Sequence, residues 1–281
     1  MLREPKLISD AMPAVDGDGV DLKRNSFFDG RFDPFLMLDE IKASADETPN
    51  AFPVHPHRGI QTLTYLIHGS MSHQDSMGNK SKIHAGDLQW MHTGKGIEHS
   101  EKPDVDANGL WGFQFWLNVP RQEKFEEPKY QDVSADDVLS IELNGIDAKL
   151  LAGSLRLNGQ PYLSNFRSLA GNASLLDLHW QERQLIDIEN SDKSAGIFVI
   201  SQEVNVVLAG GVFKKLPAGK CVSFSQGEHI QIHAESGARI LFFSGEPIDE
   251  PIVHQGPFVM TTEQEIRDTI QSYREGTLVS K

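Results

Sequence analysis

The chain has 281 residues, 39% hydrophobic and 23% charged, the balance of a globular protein with enough length for one large or two ordinary domains. A net charge of −14 and a pI near 5.2, with no cluster of Lys and Arg set against them, exclude direct non-specific binding to a nucleic-acid backbone. The single cysteine, Cys221, excludes an internal disulfide; residues 1–20 carry no continuous apolar core and no run is long enough to cross a bilayer, so a cytoplasmic location is expected.

Residues 1–33 read as a polar entry with turns at Asp16–Gly19 and at Asp29-Gly30. The run Pro34-Phe35-Leu36-Met37-Leu38 reads as ordinary core. From Gly59 the pattern has period two: Leu63, Tyr65 and Ile67 share one face, and Thr62, Thr64 and His68 the other. Gly69, Gly78, Gly86, Gly94 and Gly96 then punctuate a meander where strands turn. Trp111 to Val119 alternates again, so that either Phe113 and Phe115 or Gln114 and Trp116 face a barrel interior. Residues 120–150 are charged and interrupted by proline, with a helix-start signal at Ser134-Ala135-Asp136-Asp137, and read as a linker. A second β-rich unit follows in the segments LLDLHW, GIFVIS, VNVVL, CVSF, HIQIH and RILFF. Its His229 and His233 share a face but lie roughly 13 Å apart along a strand, too far to share one ion. The chain closes on a helix with a capping box, Thr262 to Glu265, and an apolar stripe of Ile266, Ile270 and Tyr273 before Gly276.

The chemistry concentrates between His55 and Glu101. In a strand, residues i and i+2 point to one face. His55 and His57 therefore present two imidazoles together, and His99 and Glu101 an imidazole and a carboxylate. Where the two strands lie side by side, the four side chains converge. Three neutral imidazoles and one carboxylate suit a divalent transition ion: iron, nickel, copper, manganese, cobalt or zinc. A lone His-x-His is more often a pair of hydrogen-bonded surface histidines; the pair of motifs with a meander between them is what raises the metal reading. His68, His73, His84 and His92 read as solvated or satisfied, with His73 and His92 able to face the cavity as outer donors. Asp75 and Asp87 read as turn residues.

Five runs of sequence carry a resemblance: HPHRG, TLTYLIHGSMSHQDSMGN, AGDLQWMHTGKGIEHSE, GFQFWLNVP with Pro128–Gln131, and EPIVHQGPFVMTTEQEI. In these the chain resembles the pirin family of the cupin superfamily. The resemblance implies an all-β fold of two tandem cupin barrels with a few short helices, including the C-terminal one. It implies metal only in the first barrel, residues 1–132, held by His55, His57, His99 and Glu101. Residues 133–281 would supply the linker and a barrel without metal, with chain ends that cross over between barrels. Gln61 stands near the place where pirins tend to carry a glutamate. Some pirins resemble quercetin 2,3-dioxygenases, which implies iron first among the ions, a flavonol substrate, O₂ and Glu101 as catalytic base. Others look like metal-bound regulators of transcription factors or metabolic enzymes, which implies a regulatory protein partner and little turnover. An open, partly aromatic cavity over the metal would favour the enzyme.

Overall fold

The computed structural model describes residues 1–191 and 194–279, more than half of which lie in antiparallel strands. They fall into two compact units. One consists of residues 12–30, 35–135 and 248–281, the other of residues 1–11, 31–34 and 136–247.

The first unit has two sheets. The larger has seven strands in the order Lys129–Val133, Leu88–His92, Ile60–His68, Leu110–Asn118, Phe35–Ala43, Val20–Ser26 and Met12–Asp16. The smaller has four: Phe52–His57, Ile97–Asp104, Ser70–Asp75 and Lys80–His84. The apolar run at Phe35 is the start of a strand whose first five residues are buried, because it pairs on both sides near the middle of the large sheet. Ile60–His68 is buried along its whole length except His68, so both faces of its period-two pattern are covered. The five meander glycines all take positive φ, as tight turns between strands require.

The described residues from Ile248 onward belong to this unit. The hairpin Val253–Gln255 with Phe258–Met260 leads into the helix Glu263–Arg274. The Thr262 side chain accepts from the Glu265 N–H, and the Glu265 carboxylate accepts from the Thr262 N–H, which completes the capping box. Ile266 packs with Phe258, Met260 and Leu278. The hairpin lies so close to the HPHRG segment that a Cβ at Gly59, where φ is +81°, would stand 2.0 Å from the Val259 carbonyl. Only glycine fits there. Beside it the ammonium of the fully buried Lys124 donates to the carbonyls of Gly59 (2.7 Å) and Val259 (3.2 Å) and to Asn118 Oδ1 (2.6 Å).

The second unit repeats the plan. Its seven-stranded sheet runs Pro5–Asp10, Lys220–Phe224, Ser194–Ser201, Arg239–Gly245, Ser174–Trp180, Ile146–Ala152 and Leu139–Leu143. Its six-stranded sheet runs Gln160–Leu163, Ser154–Leu157, Gln184–Glu189, His229–Ala234, Val204–Val207 and Phe213–Leu216. One continuous apolar cluster, from Ile141 to Phe242 and including Trp180, Ile230 and Ile232, fills it. Cys221 is buried in its wall, where burial pushes the thiol pKa up.

Two expectations are corrected. Residues 1–33 are more than a polar entry with turns: they hold three strands, Pro5–Asp10 in the second unit and a hairpin of Met12–Asp16 with Val20–Ser26 in the first. Residues 120–150 are not a linker either, since Lys129–Val133, Leu139–Leu143 and Ile146–Ala152 are strands and Ala135–Asp137 is a single 3₁₀ turn. Two of these strands, Lys129–Val133 and Leu139–Leu143, lie at sheet edges, where charged side chains sit on the solvated face and hide the alternation. The simple division at 132/133 also differs from the observed one, because each unit takes the opposite end of the chain.

Candidate metal centre

Three neighbouring strands of the small sheet form one grid of side chains. On the middle strand, His99 is paired with His55 on one side and with Asp75 on the other. Ile97 faces His57, and Glu101 faces His73. A bulge between His99 and Glu101 advances the register against the His55 strand. Directly paired residues project to the same face of a sheet, so the four expected residues and His73 share one wall.

The rings of His55, His57 and His99 lie with centroids 4.3–5.0 Å apart. Among the described residues two groups of three have donor atoms within 4.8 Å of one another: His55, His57 and His99, and His73, His99 and Glu101. His99 belongs to both. The structure thus gathers the three predicted imidazoles in one group and places Glu101 in a second group that shares His99.

Burial fixes the protonation state. It drives the His57 pKa down to about 3, assisted by His55, and drives that of His99 well below its ordinary value, with His57, His55 and His73 adding to the effect. Both imidazoles are therefore neutral, the state in which a lone pair can bind a metal. Backbone carbonyls choose the tautomers. His55 Nδ1 donates to the Pro53 carbonyl (2.8 Å) and His57 Nδ1 to the Pro257 carbonyl (3.4 Å), which leaves Nε2 free on each. Both ring nitrogens of His99 are buried and have no hydrogen-bond partner. An orphaned buried imidazole at the centre of a neutral histidine cluster, with a carboxylate alongside, fits a divalent transition ion.

Glu101 is 4% exposed. Its carboxylate accepts from the Gln114 side-chain amide at 3.1 and 3.4 Å, and Gln114 also donates to Thr64 Oγ1 (3.2 Å). The Trp116 indole donates to Gln114 Oε1 (3.4 Å) and stands edge-on to the His57 ring at 5.0 Å. This settles the orientation of Leu110–Asn118: Gln114 and Trp116 face the site, while Phe113 and Phe115 are fully buried.

A cavity of about 550 Å³ opens onto this wall. His55, His57, Glu101 and Gln114 line it together with Phe28, Met37, Phe52 and Trp116, and the C-terminal hairpin adds His254, Gly256 and Pro257. Phe28 and His254 stack at 3.9 Å. The one arginine of the lining, Arg24, is held by both oxygens of Asp39 (2.8 and 2.7 Å) and by Asp16 (2.8 Å). It is already neutralised.

Other histidines divide. His68 is half-buried and His84 exposed, as expected, but His73 and His92 are buried. His92 donates to the Glu123 carbonyl (3.2 Å), away from the cluster. His73 stacks on Tyr130 at 4.7 Å, with Nε2 3.4 Å from Asp75. Asp75 is the expected turn residue, accepting from the Met77 and Asn79 N–H groups. The place of His73 in the second group was missed, although its strand alternates His73, Asp75 in the same way that the neighbouring strand alternates His99, Glu101. Gln61 is buried but does not line the cavity. His229 pairs with Asp187, and His233 accepts from Arg183, so the second unit's histidines are satisfied.

A family model described as Pirin matches residues 23–117, and the Pirin C-terminal cupin domain matches residues 175–279. The chain is 36% identical over 279 residues to a Vibrio cholerae protein named "Putative quercetin 2,3-dioxygenase", covering 98% of this chain and 97% of that one. It is 38% identical to Pirin-like protein 2 of Arabidopsis thaliana, covering 93% and 81%. Among solved structures, the quercetin 2,3-dioxygenase of Acinetobacter baumannii superposes with a TM-score of 0.88 at 25% identity, covering 100% and 99%. The nickel(II) complex of the bacterial pirin YhhW from Escherichia coli shares the fold at a TM-score of 0.60 and 21% identity, covering 86% and 100%. With two barrels of this topology and relatives of such identity along nearly its whole length, the chain belongs to the pirin family of cupin proteins.

Proposed function

We propose that this pirin is a metal-dependent dioxygenase of the quercetin 2,3-dioxygenase type, which opens a flavonol ring with O₂ and releases carbon monoxide. One divalent transition ion, iron first and nickel, copper, manganese, cobalt or zinc as chemical alternatives, binds through His55, His57, His99 and Glu101. The observation that carries the reading is the open aromatic cavity lined by His55, His57 and Glu101 of that set. Its volume lies within the range of about 300–1,000 Å³ typical of sites for small organic ligands. The names of the Vibrio and Acinetobacter relatives support the same chemistry.

Bound there, the ion supplies Lewis acidity to the substrate's hydroxyl oxygen. The remaining work falls to the chain. Glu101 accepts the 3-hydroxyl proton, and Gln114 holds the carboxylate in place while leaving lone pairs for that proton. Trp116 and Phe28 line the cavity and give the flavonol rings aromatic surface to pack against. Because Arg24 is paired, the lining has no cation to spare for a carboxylate or phosphate, which suits a neutral phenol. A cytoplasmic location is part of this proposal, in keeping with a single buried thiol.

The test is anaerobic reconstitution with each ion, addition of quercetin and O₂, and detection of carbon monoxide. Release that depends on both metal and Glu101 is the expected result. Stoichiometric metal with no product from quercetin would overturn the dioxygenase reading and leave the regulatory one.

A further inference from the structure

The second ligand group, His73, His99 and Glu101, has no part in the chemistry above beyond the two residues it shares. His73 is 4% exposed, and its neighbour Asp75 is 7%. Asp75 is a fixed acceptor: Oδ1 takes the Met77 and Asn79 backbone N–H groups (3.0 Å each) and Oδ2 takes the Asn79 side-chain amide (2.8 Å). A carboxylate so engaged offers His73 Nε2, 3.4 Å away, only an acceptor, so the imidazole places its proton on Nε2 and its lone pair on Nδ1. That Nδ1 is buried and has no hydrogen-bond partner. Tyr130 fixes the plane of the ring by stacking at 4.7 Å, and its own hydroxyl is anchored to Asp132 (2.7 Å) and Gln89 (2.8 Å).

Within 4.8 Å of one another there are thus donor atoms of His73, His99 and Glu101, all electron-rich. His73 Nδ1 and the Glu101 carboxylate are acceptors only, the one N–H of the neutral His99 makes no hydrogen bond to either, and of the three groups the Gln114 amide reaches only the carboxylate. Buried lone pairs gathered in this way repel unless a cation lies among them. A carboxylate behind an imidazole, holding it in the ligand tautomer, is also the arrangement by which proteins orient metal ligands.

We propose that the centre has a second, inner seat for a divalent transition ion, formed by His73, His99 and Glu101. It sits beside the outer seat proposed above, whose imidazoles are His55, His57 and His99, and shares His99 and Glu101 with it. The two differ in access. His55, His57 and Glu101 line the cavity, whereas His73 and His99 do not. The outer seat is where a substrate reaches the ion, and the inner seat retains the ion away from solvent. This inference rests on the proposal that the cluster binds metal, but not on the dioxygenase reaction.

The experiment uses the full chain, stripped and reloaded with Mn²⁺, with uptake measured by equilibrium dialysis and the ion located by anomalous diffraction. In the double variant His55→Ala, His57→Ala one ion per chain is expected against His73, His99 and Glu101. Adding His73→Ala should weaken uptake by about 10-fold or more, the scale on which even supporting residues of metal sites act. His73→Ala in the otherwise intact chain leaves the outer seat untouched, and there the ion is expected against His55, His57 and His99 only. No uptake by the folded double variant, an ion found elsewhere in it, or unchanged affinity when His73→Ala is added to it would each overturn the inner seat. Wild-type uptake without carbon monoxide from quercetin would remove the proposed reaction while leaving the seat standing.

Discussion

The two barrels use one strand order for opposite ends. In the first, the small sheet runs Phe52–His57, Ile97–Asp104, Ser70–Asp75, Lys80–His84; in the second, the order Gln184–Glu189, His229–Ala234, Val204–Val207, Phe213–Leu216 repeats the same pairing. Where the first presents His55 and His57, His99 and Glu101, and His73, the second presents Ile186 and Ile188, Ile230 and Ile232, and Val204 and Val206, all fully buried. The second barrel is therefore closed by its own side chains. The first cannot close, because imidazoles and carboxylates cannot pack against one another as methyl groups do. The scaffold is held in common, and the inward residues alone decide whether the barrel is a core or a vessel.

That contrast can be broken at several points. Glu101→Gln should lower quercetin turnover by about 10²–10⁴-fold, the usual contribution of a positioned base, while part of the metal is retained; full turnover in this variant would exclude Glu101 as the base. His99→Ala removes the residue common to both ligand groups and should weaken metal uptake by more than about 100-fold, beyond the effect of outer supporting residues. Competition with a metal-binding dye gives that ratio directly. In the second barrel, Ile232→Ala should cost about 2–5 kcal/mol of folding stability by opening a cavity, with metal stoichiometry unchanged. Thermal unfolding and metal analysis of one sample separate the two effects, and a loss of metal there would show that the barrels are not independent in function. Gln114→Leu keeps the volume but frees the Glu101 carboxylate, and a fall in kcat of about 10-fold with a smaller change in metal affinity is expected.

The smallest effect concerns pH. His57 is neutral when folded, with its pKa lowered to about 3, against an ordinary 6.5 when unfolded. Between these values the unfolded chain binds a proton that the folded chain refuses, so the metal-free protein loses stability as pH falls below 6.5. The slope is at most about 1.4 kcal/mol per pH unit for this residue. Urea denaturation of the metal-free protein at pH 7.5 and pH 5.5 measures it, and equal stability at the two would mean that His57 is not held neutral.

The sequence carried the gathering of these histidines because period two is a local property. His55 and His57, like His99 and Glu101, need only lie on strands to point together, and Gly94 and Gly96 mark where one strand ends before the next. What it did not carry depends on partners far away in the chain. Nothing near Pro5 says that it will pair with Phe224, or that Val259 will lie against Gly59. The edge strands Lys129–Val133 and Leu139–Leu143 were hidden by charges on their solvated faces. His73 was hidden differently: a single histidine among polar residues looks like surface, and only its register opposite Glu101 reveals what it faces.

The carbonyl that sets the tautomer of His57 comes from Pro257, 200 positions later. Between them in the chain lies most of the second barrel. On the ribosome the first barrel therefore emerges early with its histidines in hand, yet without the hairpin that walls its cavity and orients one of them. It has to wait, partly assembled, until the rest of the protein has been made. The order of synthesis thus makes maturation of the centre a late event, and any shortening of the tail that removed Pro257 would strike a site whose four candidate residues, His55, His57, His99 and Glu101, are all intact.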